Sequence, residues 1–452
     1  MPDVEIQSRT GSTALNLTAL CALGLAIGAG LWCLQTPSGG PRGAHFIAGQ
    51  ALATVAYLGA LAAIRARRVP GAACLVVILV LAAAMRGVVW INAPTLSTDF
   101  YRYIWDGRVI NSGINPYQYA PADRHVRHLR DDLWRQINYK RIPTIYPPAA
   151  EIVFAGLWQL GGDRERTFRL AFTLFDFATV LLVWRLLIRT GQPQEWLLAY
   201  AWHPLVITEF AGGAHVDSAG IFFLVLAFAL MPSRSDRPIA WSAVALGLSI
   251  MSKGYALLAL PFLVRRYGWR YLPWVAGTCA ALAAPFLGAG WSLFNGLTAY
   301  VAGWRENAGL LLLLERALAP VTARPLVAAK DAVGVLLVAL AVWLLRRRLH
   351  PDGLRILSNT FVMFAAALLL GGPVTPWYVA WTVPFLCLWP VPGWVLFTGL
   401  VSVTYYARSS LPQYFELVRA AAYVIVYLVL AGDGFRRALR FRRTAPAASA
   451  PS

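Results

Sequence analysis

Apolar runs separated by short polar turns recur along the chain, and several reach the roughly 20 residues that a helix needs to span a bilayer. The pattern predicts spans near Ala14–Leu34, His45–Ile64, Gly71–Ile91, Thr167–Ile188, Trp196–Gly212, Val216–Met231, Ile239–Ser252 and Tyr255–Val264. It continues with Tyr271–Gly288, Ala323–Leu345, Leu354–Leu370, Trp377–Leu388, Gly393–Ala407 and Leu417–Leu430. Several of these, about fourteen in all, are shorter than about 17 residues and would be poor independent spans. They need neighbours, and some read as half-spanning or broken helices. The expected fold is an all-α polytopic membrane protein.

Composition agrees. Of 452 residues, 58% are hydrophobic and 13% charged, against about 45–50% and about 25% in soluble domains. A soluble, a disordered and a disulfide-rich secreted chain are all excluded on these figures. The five cysteines all fall inside apolar runs and show no metal-ligand spacing. No metal or cofactor is therefore expected, with a divalent cation left open. The first apolar stretch is longer than the h-region of a cleavable signal, and Asp3 and Glu5 spoil a basic n-region.

The net charge of +19 does not indicate a nucleic-acid partner. Its arginines sit in small clusters between apolar runs, which is how a membrane protein sets its orientation. With the N-terminus inside, Arg65, Arg67 and Arg68, Arg189, Arg234 and Arg237, Arg265, Arg266 and Arg270, Arg346 to Arg348 and Arg436 to Arg443 all fall on the inner side. Counting Ile152 to Leu160 as a span would invert every later loop. Pro147 to Leu160 is therefore read as a helix at the outer surface.

The long segment Asn92 to Arg166 then lies outside. It carries charges of both signs and, up to Tyr146, nine aromatics, which argues for order and function. TDFYRYIWDGR reads as a helix start, capped by Ser97 or Thr98, with Asp99 in the first turn. Asp99, Arg102 and Asp106 share one face. That spacing suits a functional site and equally a charge ladder that only solubilises the helix. The same topology turns His215 and Asp217, Lys253, Trp304 to Asn307, and Thr375 to Tyr378 outward. Each has a plainer alternative: a turn cap for His215 and Asp217, snorkelling for Lys253, an interfacial belt for Trp377 and Tyr378. Asp176 and Glu209 fall inside spans, where ionisable groups are costly, and Arg86 is the candidate partner of one of them.

A carboxylate, several cations and aromatics on the outer face of a lipid-buried chain suit a sugar linked through phosphate to a polyprenol. Phosphate is a fair leaving group, so one carboxylate to deprotonate the attacking hydroxyl is enough. Cations hold the phosphate as its charge grows, and aromatics stack on sugar faces.

The run STDFYRYIWDGRVINSGINPYQYAP followed by IPTIYPP resembles the first outer loop of bacterial polyprenol-phosphate-mannose-dependent mannosyltransferases of the GT-C superfamily. GGAHVDSAG, MSKGYALLALPF, YVAGWRENAG and GGPVTPWYVAW resemble later segments in the same order, so the likeness spans about Gly71 to Leu430. It implies an inverting transfer to a glycan or glycolipid hydroxyl on the outer face, with Asp99 on the position of the catalytic base and Asp106 on a second acidic position. The chain departs from the family at Thr375, where His is frequent, and at Val216, where Asn is.

The combined reading takes Asp99 as catalytic. It takes Arg102, Tyr103, Asp106, Asn115, Tyr117, Tyr146, His215, Asp217, Lys253, Arg305, Asn307, Trp377 and Tyr378 as substrate-binding. Residues 1–70 form a hairpin extension, 71–432 the catalytic core with outer loop 92–166, and 433–452 a basic and then disordered tail. Two other classes compete. A flippase or secondary transporter would show midplane charges and a repeated half-structure, and a scaffold subunit would not need Asp99, Lys253 and His215 on one side.

Overall fold

The computed structural model describes residues 2–35, 42–66, 71–91, 97–232, 238–347 and 353–444. Regular structure among them is helical throughout. This fits a backbone in hydrocarbon, where each N–H and C=O must be satisfied within its own segment. Among the described residues, seven helices are long and apolar enough to cross a bilayer: Asn16–Leu34, His45–Arg65, Ala72–Trp90, Glu165–Arg189, Trp269–Gly303, Pro325–Arg346 and Pro412–Gly434. Three shorter apolar helices, Asp217–Ala229, Ala240–Ser252 and Leu354–Leu370, accompany them. The chain is a multi-pass membrane protein. Arg67, Arg68, Arg234, Arg237 and Arg348, residues 92–96 of the outer loop and the tail from 445 onward lie outside the described residues.

Three predicted spans are broken. Trp196–Gly212 runs as a helical turn at Leu198–Ala201, restarts at Pro204–Ile207 and ends in a π-helical turn at Thr208–Gly212. Pro204 lacks an N–H and forces His203 out of the helical region. Trp377–Leu388 is three short turns, with prolines opening the first and third. Tyr255–Val264 opens as a 3-10 stretch, Gly254–Ala259, before the helix Leu260–Tyr267. Residues 197–221 and 373–387 are buried without exception, which is where irregular backbone is tolerated in a membrane protein. One expected boundary moves. The chain does not enter a loop after Gly290 but turns helical again at Asn295–Gly303, and a further helix, Leu310–Leu318, follows.

Two groups of membrane-depth charges are paired. Arg86 lies 2.7 Å from Asp176, with both buried, and Tyr200 donates to the other Asp176 oxygen. Glu209 instead lies 3.1 Å from His215. Pairing of this kind is the condition for holding charge out of water. Arg189 donates to the carbonyls of Phe228, Ala229 and Met231, closing the end of the helix Asp217–Ala229. The N-terminal hairpin crosses itself at Gly30 and Gly49, where a Cβ on Gly30 would stand 2.7 Å from the Gly49 carbonyl. Tyr57 ties the hairpin to the broken segment by donating to the Ala199 carbonyl at 2.7 Å.

The long segment from Ser97 to Arg166 is ordered around its aromatics. The helices Asp99–Asn111 and Pro148–Gly161 form as the sequence predicts. They pack so closely that a Cβ on Gly107 would sit 2.5 Å from the Phe154 carbonyl oxygen. Tyr103 stacks on Phe154 at 4.6 Å, with Phe100, Phe168 and Phe172 in the same apolar cluster. Arg108 ties down the intervening loop through Asp131 and the turn after the second helix through Asp163.

Candidate active site

The turns that charge sidedness puts on one face meet around one cavity of about 310 Å³. The helix Asp99–Asn111 supplies Asp99 and Arg102, and the loop after it supplies Asn138, Tyr139 and Tyr146. Lys253 comes from the break between Ser252 and Gly254. Tyr300 comes from the helix Asn295–Gly303 and Trp304 and Glu306 from the chain just after it, Thr375, Trp377 and Tyr378 from the broken segment around Trp377–Leu388, and Tyr405 and Arg408 from the helix Pro392–Ser410.

Asp99 is half-buried. Ser97 Oγ accepts its backbone N–H at 3.2 Å, and one of its carboxylate oxygens accepts from the Asn138 amide at 2.9 Å. Arg102 does not complete a ladder. Its Nε bonds both Asp106 oxygens, at 2.9 and 2.8 Å, and its Nη1 donates to the Ile142 carbonyl. Lys253 Nζ lies 3.2 Å from the buried Asp217 carboxylate. It also stands 5.0 Å from the Tyr146 ring and 5.2 Å from the Tyr378 ring. The Trp381 indole donates to Asp217 at 2.8 Å, so this carboxylate is fixed on two sides. His215 stacks on Trp377 at 4.1 Å, and its Nε2 meets Ser97 Oγ at 3.1 Å. His215 thus links the mid-chain turn to the start of the Asp99 helix from beneath.

Among the described residues, three non-glycines have positive φ: Tyr139, Ala214 and Asn307. Such backbone costs about 1–3 kcal/mol and gathers at functional sites. Tyr139 lines the cavity, Ala214 precedes His215, and Asn307 follows Glu306.

Of the residues expected to bind substrate, Arg102, Tyr146, Lys253, Trp377 and Tyr378 line the cavity with Asp99. The others do not. Tyr103 is wholly buried in the aromatic cluster. Tyr117 is buried and donates to the Tyr146 carbonyl. Asn115 donates to the Phe286 carbonyl in a separate cleft. His215 and Asp217 support lining residues from behind. Arg305 and Asn307 point to a neighbouring cavity, and Glu306 between them takes the place expected of Arg305. The backbone turns at Glu306 and Asn307, and Glu306 lines both cavities. Val216, at a family Asn position, is fully buried. Thr375, at a family His position, lines the cavity with an unpartnered hydroxyl. Asn138, Tyr405 and Arg408 lie outside the motifs that mark the site in the sequence, and Tyr300, the first residue of YVAGWRENAG, was not singled out there.

Asp106 is 1% exposed and reaches the cavity only through Arg102. Glu151, also buried, faces it and accepts from Thr144 at 2.5 Å, while Glu151 Oε2 has no donor. Burial, and then the Asp106 charge, push the Glu151 carboxyl well above its ordinary range. Burial also raises Asp106, opposed by Arg102. A proton on Glu151 relieves both the orphan oxygen and the repulsion. A raised folded pKa means that the folded state binds the extra proton, so its contribution fades as pH rises past the ordinary carboxylate range. Glu151→Gln mimics the protonated form. It should keep activity within about threefold and flatten the alkaline decline in melting temperature. Each unmatched proton is worth about 1.4 kcal/mol per pH unit, so thermal unfolding from pH 5 to 8 reads the slope directly. An unchanged slope would mean that Glu151 is ionised.

An alpha-(1->6)-mannopyranosyltransferase of Mycobacterium tuberculosis is 25% identical over 434 residues, covering 75% of this chain and 71% of its own. A Mycolicibacterium smegmatis protein named "Probable alpha-(1->6)-mannopyranosyltransferase" is 26% identical over 420 residues, covering 77% and 72%. A crystal structure of ArnT from Cupriavidus metallidurans bound to undecaprenyl phosphate covers 78% of this chain and 75% of that one, at 16% identity and a TM-score of 0.34. A family profile described as "Alpha-(1->6)-mannopyranosyltransferase, N-terminal domain" matches residues 14–267 and so takes in the N-terminal hairpin as well as the Asp99 loop, His215 and Lys253. That match covers more than half of the sequence, and the chain belongs to this family of membrane mannosyltransferases.

Proposed function

We propose that this protein moves a mannosyl group from a polyprenyl-phosphate donor to a hydroxyl of a glycan or glycolipid on the outer face of the membrane. The observation that carries the reading is the joint presence of Asp99, Arg102, Lys253 and stacked aromatics in one cavity. In the proposed step the acceptor oxygen bonds to the anomeric carbon as the bond from that carbon to the phosphate oxygen breaks. The hydroxyl proton passes to Asp99, and polyprenyl phosphate leaves with the electron pair. Lys253 and Arg102 stabilise the charge that grows on phosphate. A single displacement inverts the anomeric centre. An α product, which the relatives' names specify, therefore requires a β-linked donor. The GT-C reading of the fold rests on the loop motif and belongs with this proposal.

The test is transfer by purified protein offered a panel of polyprenyl-phosphate sugars. Transfer from the β-mannosyl donor alone is expected, and transfer only from a nucleotide sugar would refute the donor assignment. Sidedness has its own measurement. Reporters inserted near Arg127 or Glu306 should read external, and one after Arg189 cytoplasmic, from the arginine distribution. A cytoplasmic signal at Arg127 would move the whole site to the other face.

A further inference from the structure

A transferase must hold two substrates, and the cavity around Asp99 has a neighbour of about 580 Å³ across a shared wall. Glu306 and Arg408 line both and form the partition, with carboxylate and guanidinium 2.5 Å apart. The far side of the second cavity comes from the helix Leu310–Leu318 and the start of the helix Phe415–Thr444.

The lining chemistry selects a ligand class. Arg305 pairs with Glu315, and Glu416 takes both Arg316, at 3.6 Å, and Arg419. With Arg408 on Glu306, each of the four guanidiniums that line this cavity faces a carboxylate. Glu306, Glu315 and Glu416 line this cavity themselves, so an anionic ligand would lie against carboxylates, whereas Asp106 and Asp217 stand behind Arg102 and Lys253 and do not line the first cavity. A neutral polyol meets no such repulsion. A paired guanidinium keeps N–H donors its partner does not use, and a carboxylate keeps lone pairs. Those are the groups that grip neighbouring hydroxyls.

A second observation points the same way. Asn307, 6% exposed, lines this cavity. Its amide nitrogen donates to the Val374 carbonyl at 3.0 Å and to Thr404 Oγ1 at 2.9 Å, while its Oδ1 has no partner. A buried acceptor without a donor is rare and calls for one from outside, such as a sugar hydroxyl.

We propose that the second cavity is the acceptor site. It binds a neutral oligosaccharide chain and delivers its terminal hydroxyl past the Glu306–Arg408 partition to Asp99. This inference rests on the transferase reading and adds to it the place and charge class of the acceptor.

The test uses the full chain in detergent, an α-(1→6)-linked mannotriose as probe, and saturation-transfer NMR with titration. Arg316→Ala changes a side chain that is 71% exposed, so folding should be spared, and Glu416→Gln, whose side chain is 63% exposed but also holds the buried Arg419, is checked by its melting temperature. Each should weaken mannotriose binding about tenfold, on the scale of a lost charge-assisted hydrogen bond. Binding of polyprenyl phosphate alone should not change. Undisturbed mannotriose binding in both variants would overturn the proposal. So would tight binding of mannose 6-phosphate with none of mannotriose, since the site would then be anionic in its preference. If mannotriose binding depends on Arg316 and Glu416 while no polyprenyl-phosphate sugar is ever transferred, the acceptor site stands and the donor assignment falls.

Discussion

Asp99→Asn should lower mannosyl transfer by roughly 10²–10⁴-fold, the span covered by a lost general base, while leaving the protein folded and able to bind donor. The substitution keeps size and a carbonyl oxygen that can accept from the Asn138 amide, and it removes the capacity to take a proton. Asp99 is half-buried on the cavity wall, so neutralising it leaves no orphaned charge in the interior. Removing a negative charge beside a phosphate does not weaken the phosphate's binding. The expected pattern is therefore a fall in kcat with donor KM little changed. Asp106→Asn supplies the contrast. Asp106 holds Arg102 by two bonds and does not itself face the cavity, so its loss should loosen Arg102 and raise donor KM more than it lowers kcat. If Asp99→Asn transfers at a near-normal rate and Asp106→Asn is dead, the roles are exchanged.

The two aspartates show what the sequence can carry and where it stops. Spacing puts Asp99 and Asp106 on one helix face, and nothing local separates them further. The separation comes from the helix Pro148–Gly161, which packs across the last turns of the Asp99 helix and buries Asp106 beside Glu151. Glu151 lies 45 residues further along the chain (151 − 106), and no periodicity connects them. The long apolar helices were legible because hydrocarbon leaves the backbone no other solution. The three broken segments were legible only as short runs, since their neighbours decide whether such a run is spanned, bent or buried. The Trp304 to Asn307 stretch gave four polar or aromatic candidates. Which of them face which cavity depends on the turn at Glu306 and Asn307 and on a left-handed backbone at Asn307. Asn tolerates that conformation better than most residues, which is the one signal the sequence offered there.

Lys253 carries the second large effect, and its partner decides how that effect must be measured. Lys253→Ala should cut turnover by about two orders of magnitude, by analogy with the roughly 2.7–4 kcal/mol lost with one oxyanion donor. It also strips Asp217 of its cation. Asp217 is fully buried, and breaking a buried pair by removing one partner costs about 3–5 kcal/mol of stability. Loss of activity in the single variant therefore mixes unfolding with chemistry. Lys253→Met with Asp217→Asn separates them. Both charges go, the volumes stay close, and the Trp381 indole can still donate to the amide oxygen that replaces the carboxylate. The double variant should express and melt near the wild-type temperature, transfer at about 1% of the wild-type rate, and bind polyprenyl phosphate more weakly. Asp217→Asn alone should stay folded and retain most of its turnover, because Lys253, unlike Asp217, opens on the cavity and keeps its place between the Tyr146 and Tyr378 rings. Wild-type turnover in the double variant would show that Lys253 serves only to neutralise Asp217, and would leave Arg102 to hold the phosphate.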